Sequence, residues 1–502
     1  VLKRALIILL LIIPAMTAPK YRAVIHLAGD STMADKPVDD NPERGWGQLL
    51  PLFFQPDIKI VNYARNGRST KSFIDLGHWE QLLTNVQKGH YVFIQFGHND
   101  QKESDTTRFA AARGAYRDNL IRMVADVRKA EGLPVLLTPV SRRKFDSRNR
   151  FVDQHGEYPD VVRELARELN VPLLDLHRNS MEKLSALGPV ASEKLFLRAP
   201  AGYHASTWAG KCDNTHFNRL GAIEACRWAL EEMHSARLPL TEFLSDYSGM
   251  DPEGPGKNKV VGLDHFYNRE SRLHPWLKTK ELFHYTWEDR ENSGFWALGN
   301  LFEDRGAFLE AIETAPGDSL LARLSVYIIV DPDTPEETDT PNYLEDPAIE
   351  SIVKWVENGG VLLLMANDSA NCEFDSLNRL AQRFGLYFPG DRHHRVEGKR
   401  FSMGAFTELP AHPLFAGVEN IYMKEISSIG TDWRTKKILK ENDLVFIAEK
   451  YAGKGRVLAI GDPWLYNEYI DNRKLPEAFD NFQAANNLVD YLLTAARIVR
   501  TK

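Results

Sequence analysis

Short, almost unbroken apolar runs alternate with longer stretches whose apolar positions fall at helical spacing. The runs are Ala23–Ala28, Ile58–Ala64, Tyr91–Phe96, Val135–Val140 and Val171–Leu176. Continuous rather than alternating apolarity marks strands covered on both faces. The helical stretches include Arg108–Ala130, Asp160–Leu169 and Asn218–Ala236. In the last, Asn218 can cap the first turn, and Leu220, Ile223 and Ala225 begin an apolar face. This alternation predicts an α/β domain with a parallel sheet over residues 22–243.

The pattern breaks between Leu244 and Gly262, where Gly249, Pro252, Gly254, Pro255 and Gly256 crowd together in a composition suited to a linker, residues 244–262. A second α/β pattern fills 263–502. Strands are expected at Val326–Val330 and Val361–Met365, and a helix at Asp346–Asn358 stopped by Gly359-Gly360. Phe374–Phe384 is helical, Leu444–Ala448 and Arg456–Ile460 flank a hairpin turn, and Phe482–Ile498 closes as a helix. Two domains are expected, because 502 residues exceed one ordinary core.

Val1-Leu2-Lys3-Arg4 is followed by the apolar run Ala5–Ile13 and then Pro14-Ala15-Met16-Thr17-Ala18. A charged start, a short apolar stretch and a small-residue exit make up a secretory signal peptide, residues 1–18. The run is too short to anchor in a bilayer, so an exported, periplasmic or extracellular protein without stable membrane insertion is expected. Loss of Lys3 and Arg4 takes the 62 Lys and Arg to 60, against 69 Asp and Glu, a net of −9. That balance argues against a nucleic-acid partner. Three cysteines, Cys212, Cys226 and Cys372, are too few for a disulfide scaffold. Cys212 and Cys226 read equally well as a bridge or as two unpaired thiols.

Polar, glycine-containing segments end the first three strands: Gly29-Asp30-Ser31-Thr32-Met33, Asn66-Gly67-Arg68-Ser69 and Gly97-His98-Asn99-Asp100-Gln101. In an open parallel sheet these ends share one crevice, where ligands bind. A fourth segment, Asp213-Asn214-Thr215-His216-Phe217, forms the loop before the last helix of this half. Asp213 and His216 can lie on one turn with carboxylate against imidazole, and a Ser displayed after a buried strand can meet that His. Such an arrangement serves nucleophilic acyl transfer. Singly, each segment has a plainer role: a turn and N-cap at Gly29-Asp30-Ser31, a solvated turn at Asn99-Asp100, a surface ion pair between Asp213 and His216.

Together the four segments resemble the blocks of the SGNH, or GDSL-type, hydrolase family, whose Ser, Gly, Asn and His stand here as Ser31, Gly67, Asn99 and His216. Within that family they look most like rhamnogalacturonan acetylesterases, over roughly residues 22–237. The resemblance implies a three-layer α/β/α fold with a flavodoxin-like sheet. It implies Ser31 as nucleophile, His216 as general base and then acid, and Asp213 as the group that fixes the imidazole tautomer. It also implies an oxyanion hole made by the Ser31 and Gly67 backbone N–H groups and the Asn99 side chain. No metal or cofactor is implied. Glycine suits position 67 because a side chain could block close backbone approach. Asp30 and Asp100 are read as loop organisers.

The substrate reading rests on basic residues leaving the same sheet edge: Arg65, Arg68 and Lys71, and the run Ser141–Arg150 with Arg142 and Arg143. Arginine pairs bidentately with carboxylates, which suits an acidic, uronate-containing polysaccharide. The plainer alternative is a solvated charge run paired with local acids. His98 either touches substrate or makes a structural hydrogen bond. Tyr203, His204 and Trp208 either stack on sugars or pack their loop. The implied activity is removal of acetyl groups from rhamnogalacturonan. The alternatives are an acetylxylan or other carbohydrate esterase, a pectin methylesterase, and a non-catalytic polysaccharide-binding protein. No oligomeric state is implied.

The second half loosely resembles glutamine amidotransferase-like domains at Val361–Met365 after Gly359-Gly360, and at Gly453-Lys454-Gly455-Arg456-Val457 leading into Gly461-Asp462-Pro463. It departs from them where chemistry would reside. The strand runs into Ala366-Asn367-Asp368-Ser369 with Cys372 arriving late, and no His-Pro-Glu segment follows. A non-catalytic binding or scaffolding role is expected.

Overall fold

The computed structural model describes residues 21–39, 41–199, 201, 205–207, 209–274 and 276–499. The signal-peptide segment 1–18 and the residues Tyr203, His204 and Trp208 lie outside them. Among the described residues no helix is long and apolar enough to cross a membrane.

The first half holds β1 (Ala23–Gly29), β2 (Glu43–Arg44), β3 (Ile58–Asn62), β4 (Tyr91–Gln95), β5 (Leu133–Leu137), β6 (Leu173–Leu174), β7 (Phe196–Ala199) and β8 (Lys211–Asn218). Five of these form an all-parallel sheet ordered β3-β1-β4-β5-β6. The order reverses at β1, so the crevice for a ligand opens beyond its carboxyl end. Apolar side chains pack both sheet faces, with Ile25, Leu27 and Phe93 on one and Ala28, Val92 and Ile94 on the other. This is the three-layer α/β/α architecture, and the unbroken apolar runs are its cause.

Several boundaries move. β5 ends before Val140, since Pro139 has no N–H for the ladder. The apolar run to Leu176 yields only a two-residue β6, because the Asp175 side chain accepts from Arg178 N and starts the helix Leu176–Ala191. The helix expected from Arg108 begins at Arg117, after a π-type turn at Ala112–Tyr116. Asn218 does cap the helix Arg219–Ser235, its side chain accepting from Gly221 N.

A second, antiparallel sheet, β2-β8-β7, was not expected. β2 and β8 meet at Glu43↔Asn218 and Arg44↔Phe217, and β7 pairs with the far side of β8. The segment read as a loop, Asp213–Phe217, therefore lies within a strand.

The second half contains a seven-stranded sheet. Five parallel strands, ordered Phe308–Ile312, Val260–Asp264, Val326–Val330, Val361–Met365 and Gly455–Ile460, are followed by the antiparallel Leu444–Ala452 and Lys436–Glu441. The expected hairpin turns at Gly453, with φ +58. The turn-rich stretch gives way at Val260, where apolar residues resume and the first of these strands begins. Before it, Leu244, Tyr247 and Met250 pack on the first core. Cys372 is buried in this half, and burial pushes its thiol well up, away from nucleophilic use. Cys212 and Cys226 are unpaired; the buried Cys226 donates to the Trp46 carbonyl.

The halves share buried surface. Val38, on the loop leaving Ser31, belongs to the apolar core of the second half with Trp287, Leu298 and Leu309. Lys59 pairs with Glu291, and the Asp39 side chain accepts from Ala311 N at 3.1 Å.

Candidate active site

Ser31 stands two residues past β1, at the point where the sheet order reverses. Its loop is fixed by a line of buried hydrogen bonds. Trp46 Nε1 donates to Gln95 Oε1 at 2.9 Å, Gln95 Nε2 donates to Thr32 Oγ1 at 2.8 Å, and Thr32 donates through both N and Oγ1 to Asp30 Oδ1, at 2.9 and 2.8 Å. His98 Nδ1 meets the other oxygen of Asp30 at 3.0 Å. Burial alone would raise the Asp30 carboxyl, but His98 and these donors hold it down at about 2. Burial also lowers His98, which leaves a neutral ring donating its Nδ1 proton. Asp30 is thus the loop organiser, and His98, 3% exposed, supports the loop from the interior.

The Asp and His reach Ser31 through an irregularity in β8. Phe196 and Arg198 of β7 pair with Phe217 and Cys212 of β8. Two steps along β7 thus match five along β8, and the surplus residues bulge from the ladder. In a regular strand, positions three apart face opposite sides. Here Asp213 Oδ1 accepts from Thr215 N at 2.6 Å and His216 N at 3.0 Å, curling the backbone so both side chains share a face. His216 Nδ1 then lies 2.7 Å from Asp213 Oδ2, and His216 Nε2 lies 2.8 Å from Ser31 Oγ.

These bonds orient the protons. Burial would raise the Asp213 carboxyl, but the His216 hydrogen bond, with two backbone N–H groups, holds it far below the carboxylate range. An ionised carboxylate only accepts, so His216 carries its proton on Nδ1 and offers Nε2 as acceptor to the Ser31 hydroxyl.

The bulge is braced from outside. Arg198 donates to the Asp213 carbonyl, and to Asn214 Oδ1 at 2.7 Å. Arg143 donates to Asn214 Oδ1 at 2.9 Å, to Ser192 Oγ at 3.0 Å and to the Pro189 carbonyl. Each of its three guanidinium nitrogens therefore makes a bond within the protein, while the side chain stays partly exposed. Arg150 likewise pairs with Asp146 at 2.8 Å, as the plainer reading of this basic run expects. Arg142 donates to the His98 carbonyl at 3.0 Å and remains partly exposed. Arg68 is partly exposed too, with its Nε buried and unpartnered.

Gly67 adopts φ +72, the left-handed region that favours glycine. A Cβ there would meet nothing nearer than Arg108 Nη1 at 3.7 Å. Conformation rather than crowding within the chain accounts for the glycine. Asn99 Nδ2 donates to the Arg68 carbonyl at 3.0 Å, which ties the third segment to the second beside Gly67.

Three charged neighbours gave no signal in the pattern. Lys36 is buried, donates to Asn66 and pairs with Glu43 at 2.7 Å. Lys211 bridges Glu43 at 3.2 Å and Asp213 at 3.6 Å. Burial would raise Glu43, but Lys36, His216 and Lys211 hold it low. Among the described residues no three His, Cys, Asp or Glu side chains are grouped to hold a metal ion.

Asp100 is a separate case. Its Oδ1 accepts from Thr70 N at 2.9 Å and Thr70 Oγ1 at 2.6 Å, while its buried Oδ2 has no partner. Burial pushes the carboxyl up to about 7, from 3.8. Between those values the unfolded chain sheds this proton and the folded chain keeps it, so Asp100 increasingly costs stability as pH rises to about 7, and the cost then levels off. Asp100→Asn keeps an acceptor for Thr70 and cannot ionise. Its advantage over wild type should grow across that window by about 4 kcal/mol, reached by about pH 8. Guanidinium unfolding at both ends of the window measures this; a pH-independent difference would show that Asp100 titrates normally.

A doubly wound sheet with a Ser–His–Asp line of hydrogen bonds at its switch point defines a hydrolase-type α/β domain. Residues 27–222 match the GDSL-like lipase/acylhydrolase family. The rhamnogalacturonan acetylesterase RhgT of Bacillus subtilis (strain 168) is 36% identical over 228 residues, 45% of this chain and 96% of that protein. The probable rhamnogalacturonan acetylesterase YesY of the same organism is 30% identical over 218 residues, 43% of this chain and 95% of that one. Among solved structures, the acetylxylan esterase Axe2 of Geobacillus stearothermophilus aligns at 19% identity and a TM-score of 0.31, covering 42% of this chain and 94% of its own. This chain belongs to the GDSL-like lipase/acylhydrolase family, and it is a hydrolase of the esterase class.

Proposed function

We propose that this protein is a carbohydrate esterase that removes acetyl groups from rhamnogalacturonan through an acyl-enzyme on Ser31. The observation that carries the reading is the unbroken line from Asp213 Oδ2 to His216 to Ser31 Oγ, at 2.7 and 2.8 Å.

His216 Nε2 takes the hydroxyl proton as Ser31 Oγ bonds to the acetyl carbonyl carbon. Asp213 balances the imidazolium that forms. The carbonyl oxygen becomes an oxyanion, which the Ser31 and Gly67 N–H groups and the Asn99 amide would receive. The intermediate collapses, the carbon–oxygen bond to the sugar breaks, and the sugar oxygen takes the proton from His216. Water, deprotonated by His216, then attacks the acetyl-Ser31 ester, and acetate leaves as the proton returns to Ser31.

Two considerations support an acidic pectic substrate. RhgT and YesY are a rhamnogalacturonan acetylesterase and a probable one. Arg68, next to Gly67, and Arg142, past β5, follow strands whose carboxyl ends face the crevice and are partly exposed, so they can offer positive charge to a uronate. The signal-peptide pattern supports export, which would bring the enzyme to such a polymer.

Acetate release from acetylated rhamnogalacturonan should exceed that from acetylated xylan by at least about 10-fold in kcat/KM. The reverse order would move the protein to neutral-sugar esters, and methanol release from methylated pectin without acetate release would make it a methylesterase. Failure of Ser31 to label with a fluorophosphonate would leave only polysaccharide binding.

A further inference from the structure

We propose that Glu303, in the second half of the chain, is a positioning residue for Ser31 and His216, acting through strands β2 and β8. This inference rests on the acyl-transfer reading above.

Glu303 lies in the last turn of the helix Trp296–Asp304 and is 8% exposed. Its two carboxylate oxygens go to two different arginines of the first half. Oε1 accepts from Arg44 Nη2 at 2.7 Å, and Oε2 accepts from Arg219 Nη1 at 2.7 Å. Arg44 and Arg219 are themselves 4% and 7% exposed. Asp304 and Asn300, from the same helix, take Arg219 Nη2 at 2.6 and 3.0 Å. One acidic helix end therefore neutralises two buried guanidinium groups that, among the described residues, pair with no carboxylate of the first half.

Each arginine is coupled to one side of the reacting pair. Arg219 lies three residues past His216, directly after the Asn218 cap. Arg44 pairs with Phe217 of β8, one residue past His216. On its other side Arg44 leads into Gly45 and Trp46. Trp46 N donates to the Thr32 carbonyl at 2.9 Å, and a Cβ on Gly45 would overlap the Ala34 carbonyl oxygen. The backbone carrying Arg44 is thus pressed against the loop that displays Ser31. Displacing Arg44 against Arg219 slides β2 along β8, and with it Ser31 relative to His216.

A buried ion pair is a poor guide to stability, since apolar replacement can match it; what it can supply is a fixed register. The comparison with RhgT sharpens the point. That protein is matched over 96% of its length by 45% of this chain, which leaves almost nothing in it to correspond to the helix bearing Glu303. In this chain the second half would be part of the catalytic apparatus, in addition to any binding role.

The test uses the full chain and p-nitrophenyl acetate, a substrate too small to need polymer contacts. Glu303→Gln, and the charge-free triple Arg44→Met, Arg219→Met, Glu303→Met, are assayed well below their unfolding temperatures. Both should lower kcat at least about 10-fold with KM changed less than about two-fold, and should slow fluorophosphonate labelling of Ser31 by a similar factor. Wild-type kcat and labelling in a folded triple variant would overturn the proposal, because only a structural role would then remain. If neither variant accumulates, Arg219→Lys decides, since it keeps the charge and loses the planar fork. A fall in kcat at constant KM supports the positioning role, and unchanged kcat refutes it. An inert wild-type chain would instead remove the acyl-transfer reading itself.

Discussion

On the proposed acyl-enzyme route, replacing Ser31 by Ala should lower kcat for acetyl esters by about 10⁵-fold, with little change in KM or in the unfolding midpoint. The size follows from the loss of a covalent intermediate, which leaves only the oxyanion donors and substrate binding to help water attack. The fold should hold because, among the described residues, Ser31 Oγ bonds to His216 alone, while the loop is carried by Asp30, Thr32 and Gln95. On the same route Ser31 and His216 act as a unit, so Ser31→Ala with His216→Ala should be no slower than either alone. Steady-state rates on p-nitrophenyl acetate, with active-site titration to exclude wild-type carry-over, measure both effects. Residual activity above about 1% in Ser31→Ala would place the nucleophile elsewhere.

Asp213→Asn should cost about 10⁴-fold in kcat near neutral pH while leaving the backbone of β8 in place. Asp213 Oδ1 serves two backbone N–H donors and Oδ2 serves the imidazole. An amide keeps its oxygen toward the two N–H groups, because the reverse orientation sets donor against donor. Its NH₂ then faces His216 Nδ1, which must become the acceptor. The ring proton moves to Nε2 and points at Ser31 Oγ, where a base is needed. Fluorophosphonate labelling should fall in parallel with kcat, and a ¹⁵N spectrum of the His216 ring should show the exchanged tautomer. Near-normal turnover would mean that Asp213 does no more than shape the bulge.

The parallel strands and the candidate site at the carboxyl ends of the first sheet were legible because both depend on local pattern. Strands such as Ala23–Gly29 and Val361–Met365 are buried on both faces and announce themselves as apolar runs. Ser31, Gly67 and Asn99 follow such runs directly. The antiparallel sheet left no such trace. β2 is two residues long, and β8 is mostly polar and half-exposed because it displays side chains to the crevice. The roles of the arginines were illegible for a different reason. Arg142 and Arg143 are neighbours of identical chemistry, yet one rests on the His98 carbonyl and the other braces Asn214. Only long-range packing separates them. The same holds for Arg44 and Arg219, whose common partner lies 259 and 84 residues away.

The bulge in β8 also limits how this chain can drift. Insertions and deletions usually settle in exposed turns, where spacing is free. Here the interval between Asp213 and His216 is a dimension of the strand: the surplus residues lie between the fixed pairings at Cys212 and Phe217. Losing or gaining one of them would turn the imidazole away from Ser31, or break the pairing that holds Arg44. Descendants of this sequence are free to exchange the side chain at 215, less so that of Asn214, which holds Arg198 and Arg143, and cannot change how many residues stand between Asp213 and His216.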